Sequence, residues 1–144
     1  MPTRKADAEW RGDLKQGEGT LHLGSGAFDG KYSFRSRMGD GSGGTNPEEL
    51  IAAAHAGCYS MALSASLAGA GHTPTSVHTT ANVHFNPVDG GFAINPIELV
   101  TEAIVPGIDN ATFQKIAEDA KQNCPVSKAL AATDIHLKAT LLEQ

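Results

Sequence analysis

Asn46-Pro47-Glu48-Glu49-Leu50-Ile51-Ala52-Ala53-Ala54-His55-Ala56-Gly57-Cys58-Tyr59-Ser60-Met61-Ala62-Leu63 is the stretch on which the reading of this chain turns. It opens as a helix start: Asn46 offers a side-chain acceptor at the N-cap, Pro47 suits the first helical position, and Glu49 falls third, where a capping box closes. The helix is predicted to run to about Leu67, ahead of Gly69, Gly71 and Pro74. Leu50 to Gly71 carries no formal charge over 22 residues, the length of a membrane span. Yet the run is built of Ala, Ser and Gly with His55, Ser60, Ser64 and Ser66 inside it, too weakly apolar to insert. It reads as a helix buried on nearly all sides, with Cys58 near its middle.

Upstream, Gly12, Gly17, Gly19, Gly24, Gly26 and Gly30 punctuate three short runs suited to strands, about 4–11, 18–23 and 31–37, a meander. In the third run the period of two sets Tyr32 and Phe34 on one face and Ser33, Arg35 and Arg37 on the other. A Gly-rich loop, Gly39 to Gly44, leads into the helix. Downstream, Val77, Thr79, Ala81, Val83 and Phe85 alternate with His78, Thr80, Asn82 and His84 as in a half-buried strand. Asp89-Gly90-Gly91 turns it into a returning strand, Phe92 to Val105, with an irregularity at Asn95-Pro96. Asp109 or Asn110 caps a helix whose inner face carries Phe113, Ile116, Ala117 and Ala120 and which ends near Asn123. Pro125 starts a short helix through about Ala131 with Cys124 just before it, and Ile135, Leu137, Ala139 and Leu141 alternate as a closing strand. The expectation is one α+β domain over residues 1–144.

Composition agrees with a single globular core, at 40% hydrophobic and 19% charged residues. A formal net charge of -5, with no basic cluster interleaved with aromatics, argues against nucleic acid as a partner. Met1 to Trp10 lacks the apolar region of a secretory signal, so a cytoplasmic, reducing setting is expected, where two cysteines are reactive or metal-bound more often than structural.

The cysteines stand 124 − 58 = 66 residues apart, which excludes a Cys-x-x-Cys motif and gives no zinc spacing. Taken alone, Cys58 in an Ala-rich helix is a small buried hydrophobe more often than a nucleophile. Context overturns that. Residues 46–63 resemble the active-site helix of the OsmC/Ohr family, and Asn123-Cys124-Pro125-Val126-Ser127-Lys128-Ala129-Leu130 is similar to that family's resolving-cysteine segment, on the OsmC side. The order of strands and helices agrees with the family's fold over nearly the whole chain.

The resemblance implies a peroxidase acting on organic hydroperoxides and, more weakly, hydrogen peroxide. It implies an intertwined homodimer with sites at the interface, reset by a thiol reductant and needing no metal or organic cofactor. Carried over by position, Cys58 is the peroxidatic thiol, Cys124 the resolving thiol, Glu48 the family's acid and Arg37 its activating arginine, with Arg35 the alternative on the same strand face. The chemistry asks for these types. A free thiol is a few per cent ionised at neutral pH, so full deprotonation gains at most about thirtyfold, and the larger gain comes from a guanidinium stabilising the departing alkoxide. A carboxylate fixes that guanidinium. Ten helical residues, about 15 Å of rise, separate Glu48 from Cys58, so Glu48 serves such a site through Arg37, through helix distortion or from the other subunit. Cys58 attacks the peroxide and becomes a sulfenic acid, and Cys124, near the surface at a helix start, condenses with it. Met61, Phe34 and Phe113 are expected to line the site for an alkyl or lipid hydroperoxide.

Blander readings stand beside these. Glu49 is first a helix cap. His55, three residues before Cys58, lies where it could accept a thiol proton, but packing or hydrogen bonding is the preferred role. His78 and His84, about 20 Å apart along a strand, cannot share a metal ion. The rival classes are a ligand-binding or structural module with an inert Cys58–Cys124 tie, and a redox sensor that oxidises once without turnover.

Overall fold

The computed structural model describes residues 2–143. Its elements fall into two compact units, one up to Leu50 and one from Ile51 onward.

In the first unit, β1 (Ala6–Arg11), β2 (Glu18–Leu23) and β3 (Asp29–Tyr32) form the expected antiparallel meander in the order β1-β2-β3. Gly19 on the central strand pairs with both Trp10 and Tyr32. A Cβ there would fall 2.4 Å from the Tyr32 ring and 2.8 Å from the Trp10 ring. Its absence lets the two aromatics meet over the sheet, with centroids 5.4 Å apart.

The third strand is shorter than the alternation predicts. It stops at Tyr32, and residues Phe34–Met38 form a short helix, α1. The cause is local: Ser33 accepts from the Ser36 amide while the Ser36 hydroxyl accepts from the Ser33 amide, a reciprocal cap. The same Ser36 hydroxyl donates to the Thr45 carbonyl at 2.7 Å, anchoring the turn under the Gly-rich loop. Arg35 and Arg37 therefore do not share a strand face.

The long helix α2 (Pro47–Gly69) begins in the first unit and continues into the second. Its start is as expected, with the Glu49 amide donating to Asn46 Oδ1 at 2.7 Å. His55, Tyr59, Leu63 and Leu67, four residues apart, are fully buried. Ala54, Gly57, Met61, Ala65 and Ala68 form an exposed stripe. The expectation of burial on nearly all sides therefore fails for the single chain. By length and composition alone, with a mean hydropathy of 1.3, α2 would qualify as a membrane span. Its apolar stripe is occupied instead by the core of the second unit.

That unit pairs β4 (Ser76–Val88) with β5 (Gly91–Ile104) in an antiparallel hairpin closed by Asp89-Gly90, where Gly90 takes φ 85°. The irregularity expected at Asn95-Pro96 is a bulge: the register shifts between Val83 and Phe85, and Asn95-Pro96 is a cis peptide. α3 (Asn110–Asn123), capped by Asp109 accepting from the Thr112 amide, and α4 (Pro125–Ala129) lead to β6 (Ile135–Leu142), parallel to β5. Leu99 and Ala103 of β5, Phe113, Ala117 and Ala120 of α3, and Tyr59, Leu63 and Leu67 of α2 form one core with Cys124. Each large side chain there contributes about 1.5–3 kcal/mol of burial.

Candidate active site

The core brings the two cysteines together. Cys58 reaches from the middle of α2 and Cys124 from the turn between α3 and α4, and both are free thiols with their sulfurs 3.2 Å apart. Cys58 is half-buried and Cys124 fully buried, so the expectation of a surface-near resolving sulfur is corrected. The reason is packing: the turn that carries Cys124 lies under Tyr59 and Ala120 in the core rather than at its rim.

Their surroundings differ. Burial pushes the Cys58 thiol up, and one backbone bond, to Val126, pulls the other way. Burial pushes Cys124 up too, but the Ser127 amide and hydroxyl, the Cys58 thiol and the Val126 amide together outweigh it and bring Cys124 below its ordinary value. The hydrogen bond between the sulfurs can run from either thiol. The larger set of donors at Cys124 makes it the more acidic of the two sulfurs.

A second buried contact adjoins the pair. His55 Nε2 and Ser127 Oγ lie 2.8 Å apart, although the two residues are 72 positions apart in sequence. Burial holds the imidazole below its ordinary pKa, so it is neutral. His55 thus turns to Ser127 rather than acting on Cys58 directly.

In the first unit, Arg37 donates from Nε to Glu48 Oε1 at 3.0 Å and from a terminal nitrogen to Oε2 at 2.8 Å, a bidentate pair. The Glu48 side chain is 9% exposed and that of Arg37 38%, and the Glu48 hydrogen bonds raise Arg37 above its ordinary range. Arg35, two residues away and so on another side of α1, is 75% exposed, with its Nε 3.9 Å from Asp40. Between the two arginines left open by the sequence, the carboxylate holds Arg37.

Comparison with known proteins follows the same residues. The family model described as OsmC-like protein matches residues 39–139, which include Glu48 and both cysteines. The chain is 53% identical over 130 residues, 90% of each protein, to Peroxiredoxin OsmC of Escherichia coli (strain K12). It belongs to the OsmC-like family. A more distant member, the Organic hydroperoxide resistance protein of Xanthomonas axonopodis pv. citri (strain 306), is 38% identical over 105 residues, 72% of each. Among solved structures, the organic hydroperoxide resistance protein OhrB of Bacillus subtilis superposes with a TM-score of 0.75 at 27% identity, covering 94% of this chain and 98% of that one. The two small sheets and the long central helix are thus the OsmC/Ohr-like α+β fold read from the sequence.

Within this OsmC-like chain the expected apolar lining is not assembled as foreseen. Phe113 is fully buried in the core and Met61 is 76% exposed. His84 pairs with Glu98 across the sheet. Among the described residues no group of three His, Cys, Asp or Glu side chains could hold a metal ion. The residue that sequence reasoning missed is Ser127. It stands in the Cys124 segment, but a serine three residues past a cysteine is a weak signal until the fold sets it against His55.

Proposed function

We propose that this chain is a thiol-dependent peroxidase that reduces organic and, more weakly, inorganic hydroperoxides, with Cys58 the attacking sulfur, Cys124 the resolving one, and Arg37 and Glu48 the activating pair. The observation that carries it is the 3.2 Å approach of two reduced sulfurs 66 residues apart. As Cys58 attacks the peroxide, its proton passes to Cys124 and on to the departing alkoxide. The products are the alcohol, a Cys58 sulfenic acid and a Cys124 thiolate. That thiolate then attacks the sulfenic sulfur, forming the disulfide and expelling hydroxide, which takes a solvent proton to become water. Two cellular thiol groups, from a dithiol or two monothiols, return the two electrons and leave as a disulfide, and the cycle needs no metal or organic cofactor. Arg37, held by both Glu48 oxygens, steadies the alkoxide charge at the moment of O–O cleavage.

The family match running unbroken from residue 39 to 139 supports treating both units as one functional domain. Homodimerisation is supported by the exposed, uncharged stripe of α2: Gly57 sits mid-helix at a cost of about 1 kcal/mol relative to Ala, yet a Cβ there would meet nothing in the single chain. A second copy packed on that stripe supplies the missing reason.

The test is a pair of variants. Cys58→Ser should abolish consumption of tert-butyl hydroperoxide, while Cys124→Ser should still yield a sulfenic acid trapped by dimedone but lose disulfide-dependent turnover. Full activity in both variants would end the proposal.

A further inference from the structure

The 3.2 Å approach of the sulfurs needs a cause, because the main chain of Cys124 does not supply one. Its amide donates to the Ala120 carbonyl at 2.9 Å and its carbonyl accepts from the Lys128 amide at 3.0 Å, both inside the α3–α4 corner. Two buried hydrogen bonds that involve no sulfur tie this corner to α2. The Tyr59 hydroxyl, next in sequence to Cys58, donates to the Ala117 carbonyl of α3 at 2.9 Å, and His55 Nε2 meets Ser127 Oγ of α4 at 2.8 Å. One tie falls 124 − 117 = 7 residues before Cys124 and the other 127 − 124 = 3 after it. The helix is itself pinned to the sheet: Ser60 Oγ donates to Thr79 Oγ1 of β4 at 2.8 Å, and Thr79 Oγ1 lies 2.9 Å from Thr101 Oγ1 of β5. Cys58 thus stands on a helix whose rotation residues 59 and 60 fix, facing a corner held on both flanks.

We infer that Tyr59 is a positioning residue for the resolving step: with the His55–Ser127 contact, its hydroxyl braces the α3–α4 corner against α2 and holds Cys124 within bonding reach of oxidised Cys58. This deepens the peroxidase reading and rests on it. Attack of one sulfur on the other is intramolecular, and its rate follows the fraction of time the two atoms spend at attack distance. A corner free to swing by about 1 Å would lose that advantage while the core stayed packed. The donor is constant. Burial lifts the Tyr59 phenol far above its ordinary range, so it keeps its proton through the neutral range. The acceptor does not depend on it, because a carbonyl in the middle of α3 is already bonded within that helix. Deleting the hydroxyl strands no buried acceptor and should cost alignment more than stability.

The experiment uses the full chain and reads closure apart from peroxide chemistry. In Tyr59→Phe the ring still fills its place in the core. With tert-butyl hydroperoxide and competing dimedone, its ratio of disulfide to trapped sulfenic acid should fall about fivefold, the scale of one hydrogen bond. In a Cys124→Ser background, where closure is impossible, the same substitution should leave the rate of sulfenic acid formation unchanged. Ser127→Ala removes the second tie and should lower the ratio as well, and the double variant should lower it further. Leu67→Val trims a buried α2 side chain that can make no hydrogen bond, so it should lower Tm yet keep the wild-type ratio. Without peroxide, the equilibrium for closing the disulfide against glutathione should fall about fivefold in Tyr59→Phe, raising the reduction potential by about 20 mV. A Tyr59→Phe chain with the wild-type ratio and glutathione equilibrium would overturn the inference, as would an equal fall of the ratio in Leu67→Val. A wild-type chain that closes its disulfide with glutathione but forms no sulfenic acid with peroxide would sink the peroxidase reading itself, a different failure.

Discussion

At the scale of single residues, the Arg37–Glu48 pair makes the sharpest demand. Two parallel hydrogen bonds fix the plane of the guanidinium, which a lysine ammonium cannot copy. Arg37→Lys should therefore behave much like Arg37→Ala, each lowering kcat/KM for tert-butyl hydroperoxide by about 10²–10³, the scale of one lost donor to a developing oxyanion. A lysine variant at the wild-type rate would show that charge alone suffices. Glu48 and the two cysteines were legible because they sit in two contiguous segments, 46–63 and 123–130, whereas Arg37 lies outside both and had Arg35 as its rival. The geometry was not legible. Nothing in Asn123-Cys124-Pro125 announces that the sulfur is fully buried, since that depends on Tyr59 and Ala120 arriving from elsewhere. Ser127 was silent for the same reason: its hydroxyl meets His55, 72 positions away, only in the folded chain.

At the scale of elements, α2 carries a titration that can be measured. The folded state keeps His55 neutral below its ordinary value of 6.5, whereas the unfolded chain protonates there. More protons bind to the unfolded chain in that window, so the contribution is complete above about pH 6.5 and is lost as pH falls through it. His55→Gln should flatten the acid limb of stability, read as urea midpoints from about pH 8 down to pH 5. An acid limb equal to that of the wild type would refute this. Long elements were readable from sequence where one signal dominated: the Asn46-Pro47 start, the Asp89-Gly90 turn, the Asn95-Pro96 bulge. The stretch 31–37 was misread because Tyr32, Phe34 and their polar neighbours copy a strand's alternation. A serine pair three residues apart, closing a reciprocal cap, outweighed that pattern over a single helical turn.

At the scale of the whole molecule, the exposed stripe of α2 makes its own demand. Gly57→Leu places a side chain into open space in the isolated chain and should leave its fold intact, yet it should weaken self-association, seen as a shift from dimer to monomer in sedimentation equilibrium. A variant that dimerises as tightly as the wild type would move the interface off this stripe. The approach of α2 to the α3–α4 turn at Cys58 and Cys124 reaches beyond catalysis. Closing that clasp restricts the unfolded chain by about 4 kcal/mol for a loop of 66 residues. Were that disulfide to form, the oxidised chain would be the more heat-tolerant one, and resilience to warming would rise as the reductant supply runs low, keeping the exhausted protein folded until electrons return.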